Sequence, residues 1–360
     1  MTGLPAWGRR AAVVAGAAGV VAAGAAVGLA AERYAVGRSF RRHADDPEEA
    51  EPFGTIRGDV CPVTADDGVV LHVEVDGPPL RSRKAPRLTV VFCHGLALNQ
   101  DSWHYQRRDL ADLADDNVRL VFWDQRGHGR SGRGTAQHAT IDQLGRDLTA
   151  VLKATAPRGP LVLVGHSMGG MTIMALAEEQ PRLFRDRVVA VALVATSPGR
   201  LTEVTFGVPA AAGRALRRVA PRALEALNRR PALVARGRSL GADIEFVLTK
   251  RFSFATDVPP SLVHFVSQMH DTTPLDVIAE LFPAFDAHDK LAALDMLAGI
   301  DVLVLGGEQD AMTPADHSRE IAGRLPNAEL VILPEAGHLV MLEYHEVVTD
   351  HLRSLIERNS

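Results

Sequence analysis

The fold is decided by ten residues, 161–170, whose sequence is LVLVGHSMGG. The run opens with four consecutive aliphatic residues, which are typical of a strand buried on both faces of a sheet. A G-x-S-x-G motif from Gly165 to Gly169 follows and leads directly into the amphipathic run 168–179. Small residues in such a motif permit a sharp strand-to-helix turn that lifts the serine hydroxyl out of the sheet. Ser167 is therefore predicted to be a nucleophile at a helix N-terminus, where backbone N–H groups favour negative charge.

Five further apolar runs, rich in β-branched residues, predict the other strands of the same sheet. They are continuous rather than alternating, and amphipathic stretches such as 141–155 lie between several of them. This order predicts an α/β fold in which a mostly parallel sheet is flanked by helices. The alternating run 69–75 predicts an antiparallel strand at the start of the sheet. The five runs are 88–93, 118–123, 188–195, 301–306 and 329–333.

The succession of strand-like and helix-like runs stops between about residues 198 and 290. There the chain is mostly helical in pattern and interrupted by prolines. An insertion of this length between two strands predicts a helical cap over the C-terminal edge of the sheet, where ligands of such sheets bind. The first part of the cap is basic, because residues 200–238 contain nine arginines and two glutamates. This stretch is either a solvated helical surface or a lid that rests on anionic lipid.

A serine nucleophile needs a base at neutral pH, and the base needs an acid that orients it. His338 follows the last strand-like run, and Asp310 follows the run 301–306. The chain order Ser167, Asp310, His338 is the one expected for a serine in a strand-to-helix elbow. All three residues come at or beyond the C-terminal ends of strands, so they are predicted to converge. Glu308 is an alternative acid, but Asp310 lies farther into the loop and is preferred.

Backbone N–H groups should stabilise the negative charge that develops on a substrate oxygen. One donor is predicted to be Met168, the residue after the nucleophile, and the other Leu96, in the loop that follows the first buried strand. Gly95 precedes Leu96 and is expected to permit an unusual backbone conformation there. His94 and His166 flank these positions and are predicted to support the site rather than to react.

Five motifs along the chain carry a family resemblance. They are Cys93-His94-Gly95, the turn from Asp124 to Ser131, the elbow from Gly165 to Gly170, GGEQD ending in Asp310, and AGH ending in His338. With them, the chain from about residue 57 to 357 resembles a serine hydrolase of the α/β-hydrolase fold. The resemblance implies acyl transfer to water through an acyl-enzyme, with no metal and no organic cofactor. It also implies that the turn after Asp124 supports the site without reacting.

The identity of the nucleophile, a serine, limits which reactions of this fold are expected. Dehalogenases and epoxide hydrolases of this fold use aspartate at the elbow, so Ser167 favours an esterase or lipase acting on a small or lipid-like acyl ester. Cofactor-free perhydrolases and carbon–carbon-bond hydrolases also fit a serine elbow, and an inactive binding protein of the same fold is a further alternative. The net charge of −5, from 39 basic and 44 acidic residues, excludes a nucleic-acid-binding protein that works by overall basicity.

The N-terminus carries an apolar run, residues 11–31, composed only of Ala, Val, Gly and one Leu. It is long enough to span a membrane as a helix. It is either an uncleaved anchor or a signal peptide, since Arg9 and Arg10 precede it and Gly28-Leu29-Ala30 offers a small-x-small cleavage site. We expect membrane association with the side left open, and export or secretion after cleavage is the alternative. Residues 38–54 predict a charged linker between this N-terminal segment, 1–37, and a hydrolase domain at 55–360.

Overall fold

Ten strands form in the computed structural model, which describes residues 50–81, 85–204 and 248–360. All six continuous apolar runs that the sequence predicts as strands occur, and their bounds agree to within one residue. The strands are β1 (Asp59–Val60), β2 (Val63–Thr64), β3 (Val70–Leu71), β4 (Val73–Asp76), β5 (Leu88–Cys93), β6 (Val118–Trp123), β7 (Leu161–His166), β8 (Val188–Val194), β9 (Asp301–Gly307) and β10 (Glu329–Leu333).

Within the described chain, eight of these strands form one sheet in the order β1-β4-β6-β5-β7-β8-β9-β10. The pairs from β6 to β10 are parallel, and the two pairs at the β1 edge are antiparallel. The predicted mostly parallel sheet is therefore confirmed. The strand order reverses at β5, because β6 lies on one side of it and β7 on the other. Loops that leave the carboxyl ends of β5 and β7 diverge there and open a crevice, the usual ligand site of an open α/β sheet.

The predicted strand 69–75 is interrupted at His72, which corrects the sequence interpretation. The strand β3 pairs with β2, whereas β4 joins the main sheet against β6. The N–H of His72 donates to the hydroxyl of Ser131, 2.8 Å away, rather than to a neighbouring strand. Both halves are antiparallel as predicted, but they belong to two different sheets.

Helices cover both faces of the sheet. The α-helices with defined bounds are α1 (His104–Asp109), α2 (Asp112–Asp115), α3 (Ile141–Thr155), α4 (Met168–Glu179), α5 (Pro181–Asp186), α6 (Pro260–Asp271), α7 (Leu275–Asp286), α8 (Ala315–Arg324), α9 (Val340–Glu343) and α10 (His345–Arg358). On one face α1, α6 and α10 share a buried cluster with Phe92 and Trp103, and on the other α3, α4 and α8 share one with Val91 and Trp123. Strands β5 to β9 are thus buried on both faces, whereas β10 at the sheet edge is only half-buried.

The predicted cap, about 198–290, is described in two pieces, 198–204 and 248–290. Residues 248–253 are helical, and α6 and α7 follow them. Helix α7 packs its buried Val277 and Leu281 in a cluster with Met168 and Met171 at the start of α4. The described part of the predicted cap therefore packs at the carboxyl end of β7.

The basic stretch 200–238 falls almost wholly outside the described residues, and only Arg200 among its nine arginines lies within them. The apolar run 11–31 and most of the linker 38–54 also lie outside them. Among the helices that the structure describes, none is both long and apolar enough to cross a membrane. The expected membrane association stays a prediction, and nothing in the described residues supports it.

The turn after β6 is held to the body of the domain by a buried ion pair. The guanidinium of Arg126 donates from Nε and Nη2 to the two carboxylate oxygens of Asp147 on α3, each at 2.6 Å. A further hydrogen bond of 2.8 Å joins Arg126 to Asp67. The side chain of Asp147 is fully buried and that of Arg126 nearly so. Two-point pairing of this kind offsets the cost of removing both charges from water.

We predict that Asp147→Ala lowers the free energy of unfolding by about 3 kcal/mol, because it leaves a buried guanidinium with one remaining carboxylate partner. Urea unfolding followed by far-UV circular dichroism measures the change. The matched control is Asp295→Ala, which breaks a pair with Arg324 in which both side chains are about half exposed. That variant should show no measurable change, since solvent screens surface pairs. Equal losses in the two variants would contradict the role given to the buried pair.

Candidate active site

The serine of the elbow sits in a backbone conformation that residues other than glycine rarely adopt. Ser167 has φ 53° and ψ −119°, between the end of β7 and the first residue of α4. Its N–H donates to the carbonyl of Val194 at 3.0 Å, and its carbonyl accepts from the hydroxyl of Thr196 at 2.6 Å. A Cβ on Gly169 would lie 2.1 Å from the carbonyl oxygen of Cys93, so only glycine lets α4 approach β5 this closely. The two hydrogen bonds of Ser167 and the close contact of Gly169 with β5 thus hold the turn in this conformation.

The structure brings Ser167, His338 and Asp310 into one hydrogen-bonded row. His338 Nε2 lies 3.0 Å from Ser167 Oγ, and His338 Nδ1 lies 2.8 Å from Asp310 Oδ2. The Asp310 side chain is fully buried, and that of His338 is 11% exposed. The three residues come from the loops after β7, β10 and β9, so parallel strands deliver them to one edge of the sheet. In this geometry His338 can accept the hydroxyl proton while the carboxylate holds its other nitrogen as a donor.

Asp310 is held by its own loop. Its Oδ1 accepts the N–H groups of Met312 and Thr313 at 2.7 and 2.9 Å. The Thr313 hydroxyl lies 2.8 Å from both Asp310 Oδ2 and the carbonyl oxygen of Ala195. The sequence interpretation missed Thr313. The available signal was Asp310 itself at the start of a loop, since an aspartate carboxylate often accepts the N–H groups two and three residues later.

Glu308, the alternative acid, points elsewhere. Its side chain is 46% exposed and pairs with Arg319 on α8. Asp310 and not Glu308 is therefore the carboxylate in contact with His338.

The amides of Leu96 and Met168 are placed where the sequence predicts them, in the loop after β5 and at the first position of α4. Within the described residues, neither N–H donates a hydrogen bond to a protein acceptor. The positive φ in this loop is found at Ala97, with φ 58°, and not at Gly95. Gly95 is needed for space, since a Cβ there would lie 2.8 Å from His166 Nδ1. Both N–H groups are thus without a protein acceptor among the described residues; Met168 directly follows Ser167, and Leu96 lines the same cavity as Ser167.

His94 joins three parts of the fold. Its Nε2 accepts the N–H of Gln125 at 2.8 Å, so its Nδ1 carries the proton and donates to the carbonyl of Gly95 at 2.7 Å. The side-chain N–H of Gln125 donates to the carbonyl of His94 at 2.6 Å. The side-chain oxygen of Gln125 accepts from the hydroxyl of Thr172 on α4 at 2.8 Å. Burial holds the pKa of His94 well below its ordinary value. A neutral ring therefore fixes the loop of Leu96 to the turn after β6.

His166 supports the other side of the site. Its Nε2–H donates to the carbonyl oxygen of His338 at 2.9 Å, and the two rings are 4.8 Å apart. Burial, and to a lesser extent the neighbouring His338, hold the pKa of His166 well below its ordinary value. His166 thus donates, as a neutral ring, to the backbone of the His338 loop; its supporting role stays a prediction.

A cavity of about 240 Å³ opens onto the serine hydroxyl from the cap side. Its described lining is mostly aliphatic and aromatic, and none of these residues is Asp, Glu, Lys or Arg. The apolar members include Leu96, Met171, Leu201, Phe252, Phe282, Phe285 and Met312, and the polar ones outside the row are His166, Ser253, His270 and Thr313. Across residues 50–81, 85–204 and 248–360, no group of three or more His, Cys, Asp and Glu side chains is arranged to hold a metal ion.

Comparisons with known proteins agree on the fold of this chain. A family model described as the alpha/beta hydrolase fold matches residues 89–344. An sn-1-specific diacylglycerol lipase, ABHD11 of Mus musculus, is 26% identical over 282 residues, which are 74% of this chain and 80% of that protein. A solved thermophilic esterase from Thermogutta terrifontis has 24% identity and a TM-score of 0.61, covering 84% of this chain and 99% of that chain. An enol-lactonase from Burkholderia xenovorans also has 24% identity and a TM-score of 0.61, covering 82% and 100%. The matches confirm the fold that the motifs predict.

The buried histidines of the site region predict how stability depends on pH. Burial lowers the pKa values of His94 and His166, and it lowers that of His128, in the turn after β6, to about 4. The unfolded chain binds protons at these residues near pH 6.5, whereas the folded chain does not. The folded state therefore loses stability as pH falls below about 6.5.

We predict that His128→Gln reduces this loss by about 1.4 kcal/mol per pH unit between pH 6 and 5, because one proton fewer is taken up on unfolding. Urea unfolding of wild type and variant at pH 7, 6 and 5 measures both slopes. An unchanged slope in the variant would show that His128 is already protonated in the folded state.

Proposed function

Since the chain belongs to the alpha/beta hydrolase fold family, we propose that it is a serine hydrolase that cleaves an uncharged carboxylic ester through an acyl-enzyme. One observation carries the proposal: the row Ser167–His338–Asp310, with contacts of 3.0 and 2.8 Å, at the base of an apolar cavity. This arrangement of hydroxyl, imidazole and carboxylate activates serine on several unrelated folds. The hydrolases among its relatives agree with an enzyme of this type.

Acylation follows from the positions of these groups. Ser167 Oγ attacks the ester carbonyl carbon as His338 Nε2 takes the hydroxyl proton, and the carbonyl π electrons move onto oxygen. The N–H groups of Leu96 and Met168 donate to this oxyanion. Asp310 stays ionised and stabilises the imidazolium that has formed. The bond to the alcohol oxygen then breaks, and His338 returns the proton to the departing alkoxide.

Deacylation reverses these roles with water. His338 takes a proton from a water molecule that attacks the acyl carbon, and the oxyanion forms again between Leu96 and Met168. Collapse of this intermediate expels Ser167 Oγ, which regains the proton from His338, and the carboxylic acid leaves. Removal of one side-chain donor from a comparable oxyanion hole costs roughly 100- to 1,000-fold in kcat.

The lining of the cavity supports an uncharged substrate. A charged group buried there would lack an opposite charge among the described lining residues, and burying an unpaired charge is costly. Apolar acyl or alcohol chains would instead be removed from water against Phe252, Phe282 and Phe285. The name of the mouse relative, a diacylglycerol lipase, also favours an ester as the substrate.

We predict that a fluorophosphonate probe labels wild-type protein at Ser167 and does not label Ser167→Ala. Hydrolysis of p-nitrophenyl esters with acyl chains of two to sixteen carbons should fall by a factor on the order of 10⁶ in Ser167→Ala and in His338→Ala, because the residues act as one unit. Peptide mass spectrometry locates the label. Equal labelling of Ser167→Ala, or activity only on a carbon–carbon-bond substrate, would contradict the proposal.

The same assay distinguishes the two loop acids with a matched pair of variants. Asp310→Asn should lower kcat by a factor on the order of 10³ to 10⁴, because the amide no longer holds His338 in the correct tautomer. Glu308→Gln is the control, since its side chain faces solvent and Arg319, and it should retain wild-type kcat. A damaging Glu308→Gln together with a harmless Asp310→Asn would reassign the acid.

A further inference from the structure

Two polar side chains in the lining of the cavity have no task in the chemistry just described. Ser253 ends the helical run 248–253, and His270 lies in the last turn of α6, so both belong to the cap. Within the described residues, neither the Ser253 hydroxyl nor either ring nitrogen of His270 has a hydrogen-bond partner. Both side chains line the cavity, so water or a bound ligand there can supply their hydrogen-bond partners.

Ser253 is fixed next to the histidine of the catalytic row. Its carbonyl oxygen accepts the N–H of Leu339, the residue after His338, at 2.9 Å. A Cβ on Gly337, the residue before His338, would lie 2.8 Å from the same oxygen. The backbone of Ser253 is thus packed directly against the loop that carries His338. In the proposed mechanism His338 returns a proton to the alcohol oxygen, so the alcohol part of the ester must pass close to this loop.

His270 offers both kinds of hydrogen bond. Burial lowers the pKa of His270 to about 4, so at neutral pH its ring has one N–H donor and one acceptor nitrogen. The hydroxyl of Ser253 can likewise donate one hydrogen bond and accept hydrogen bonds. Most of the other side chains that line the cavity, such as Phe252, Phe282 and Phe285, offer no polar atoms. A ligand that supplies a hydroxyl would satisfy groups that a purely apolar ligand leaves unpaired.

Resting on the proposed function, we propose that Ser253 and His270 form a polar subsite that binds a free hydroxyl group on the alcohol part of the ester. The substrate class is then an uncharged partial ester of a diol or polyol, with its acyl chain against the apolar lining. Sites built to bind a substrate hydroxyl discriminate strongly against analogues that lack it, because their polar groups are left unpaired.

The test compares esters that differ only by a hydroxyl and a methyl group of similar size: 2-hydroxyethyl with propyl hexanoate, and 3-hydroxypropyl with butyl hexanoate. The wild-type full chain should prefer the hydroxyalkyl member of at least one pair by tenfold or more in kcat/KM. Ser253→Ala and His270→Leu should bring that ratio towards one. The matched controls, Ser267→Ala and His264→Leu on α6, should keep the wild-type ratio.

The outcomes separate the subsite from the chemistry. If wild type cleaves both members of each pair equally, or if Ser253→Ala and His270→Leu keep the preference, the subsite is wrong while the serine hydrolase stands. A preference for 6-hydroxyhexanoate over hexanoate esters in place of hydroxyalkyl alcohols would also overturn it, because the hydroxyl would then lie on the acyl side. Failure to cleave any of these esters, with no fluorophosphonate label on Ser167, would remove both proposals.

Discussion

The site depends on one strained backbone conformation, that of Ser167 between β7 and α4. A positive φ at a residue other than glycine costs on the order of 1–3 kcal/mol and persists only where the surroundings enforce it. Here they do so through the hydrogen bonds of Ser167 to Val194 and Thr196 and through the contact of Gly169 with β5. The result is a hydroxyl that cannot turn away into the sheet, with the N-terminus of α4 beneath it.

Every other part of the site is positioned relative to that turn. The reversal of strand order at β5 opens the space in which the loops after β5, β7, β9 and β10 meet. Neutral, buried histidines then connect these loops: His94 joins the Leu96 loop to the turn after β6, and His166 joins the elbow to the His338 backbone. Because these rings are buried without charge, they hold the loops by directed hydrogen bonds and add no competing cation next to His338.

Much of this arrangement could be predicted from the sequence, for identifiable physical reasons. Strands buried on both faces are continuous aliphatic runs, so β5 to β9 could be located closely. The elbow, Asp310 and His338 lie at strand ends, where parallel topology brings side chains together. Contacts between distant segments could not be predicted: the hydroxyl of Ser131 interrupts a strand at His72, 59 residues away in sequence. The need for a residue without a side chain at Gly95, next to His166, could not be predicted either, because the sequence does not show which atom a side chain there would meet. Ser253 and His270 lie in a region with no motif, and only the folded cap brings them to the cavity.

The central claim is that Ser167 reacts while Leu96 and Met168 bind the oxyanion, and a crystal structure after reaction with a p-nitrophenyl alkylphosphonate tests it most directly. The phosphonate mimics the tetrahedral intermediate, and its phosphonyl oxygen stands for the oxyanion. The account predicts a covalent bond from phosphorus to Ser167 Oγ, with the phosphonyl oxygen about 2.7–3.1 Å from the backbone nitrogens of both Leu96 and Met168. A phosphonate bonded to another residue, or a phosphonyl oxygen turned away from these two amides, would contradict it.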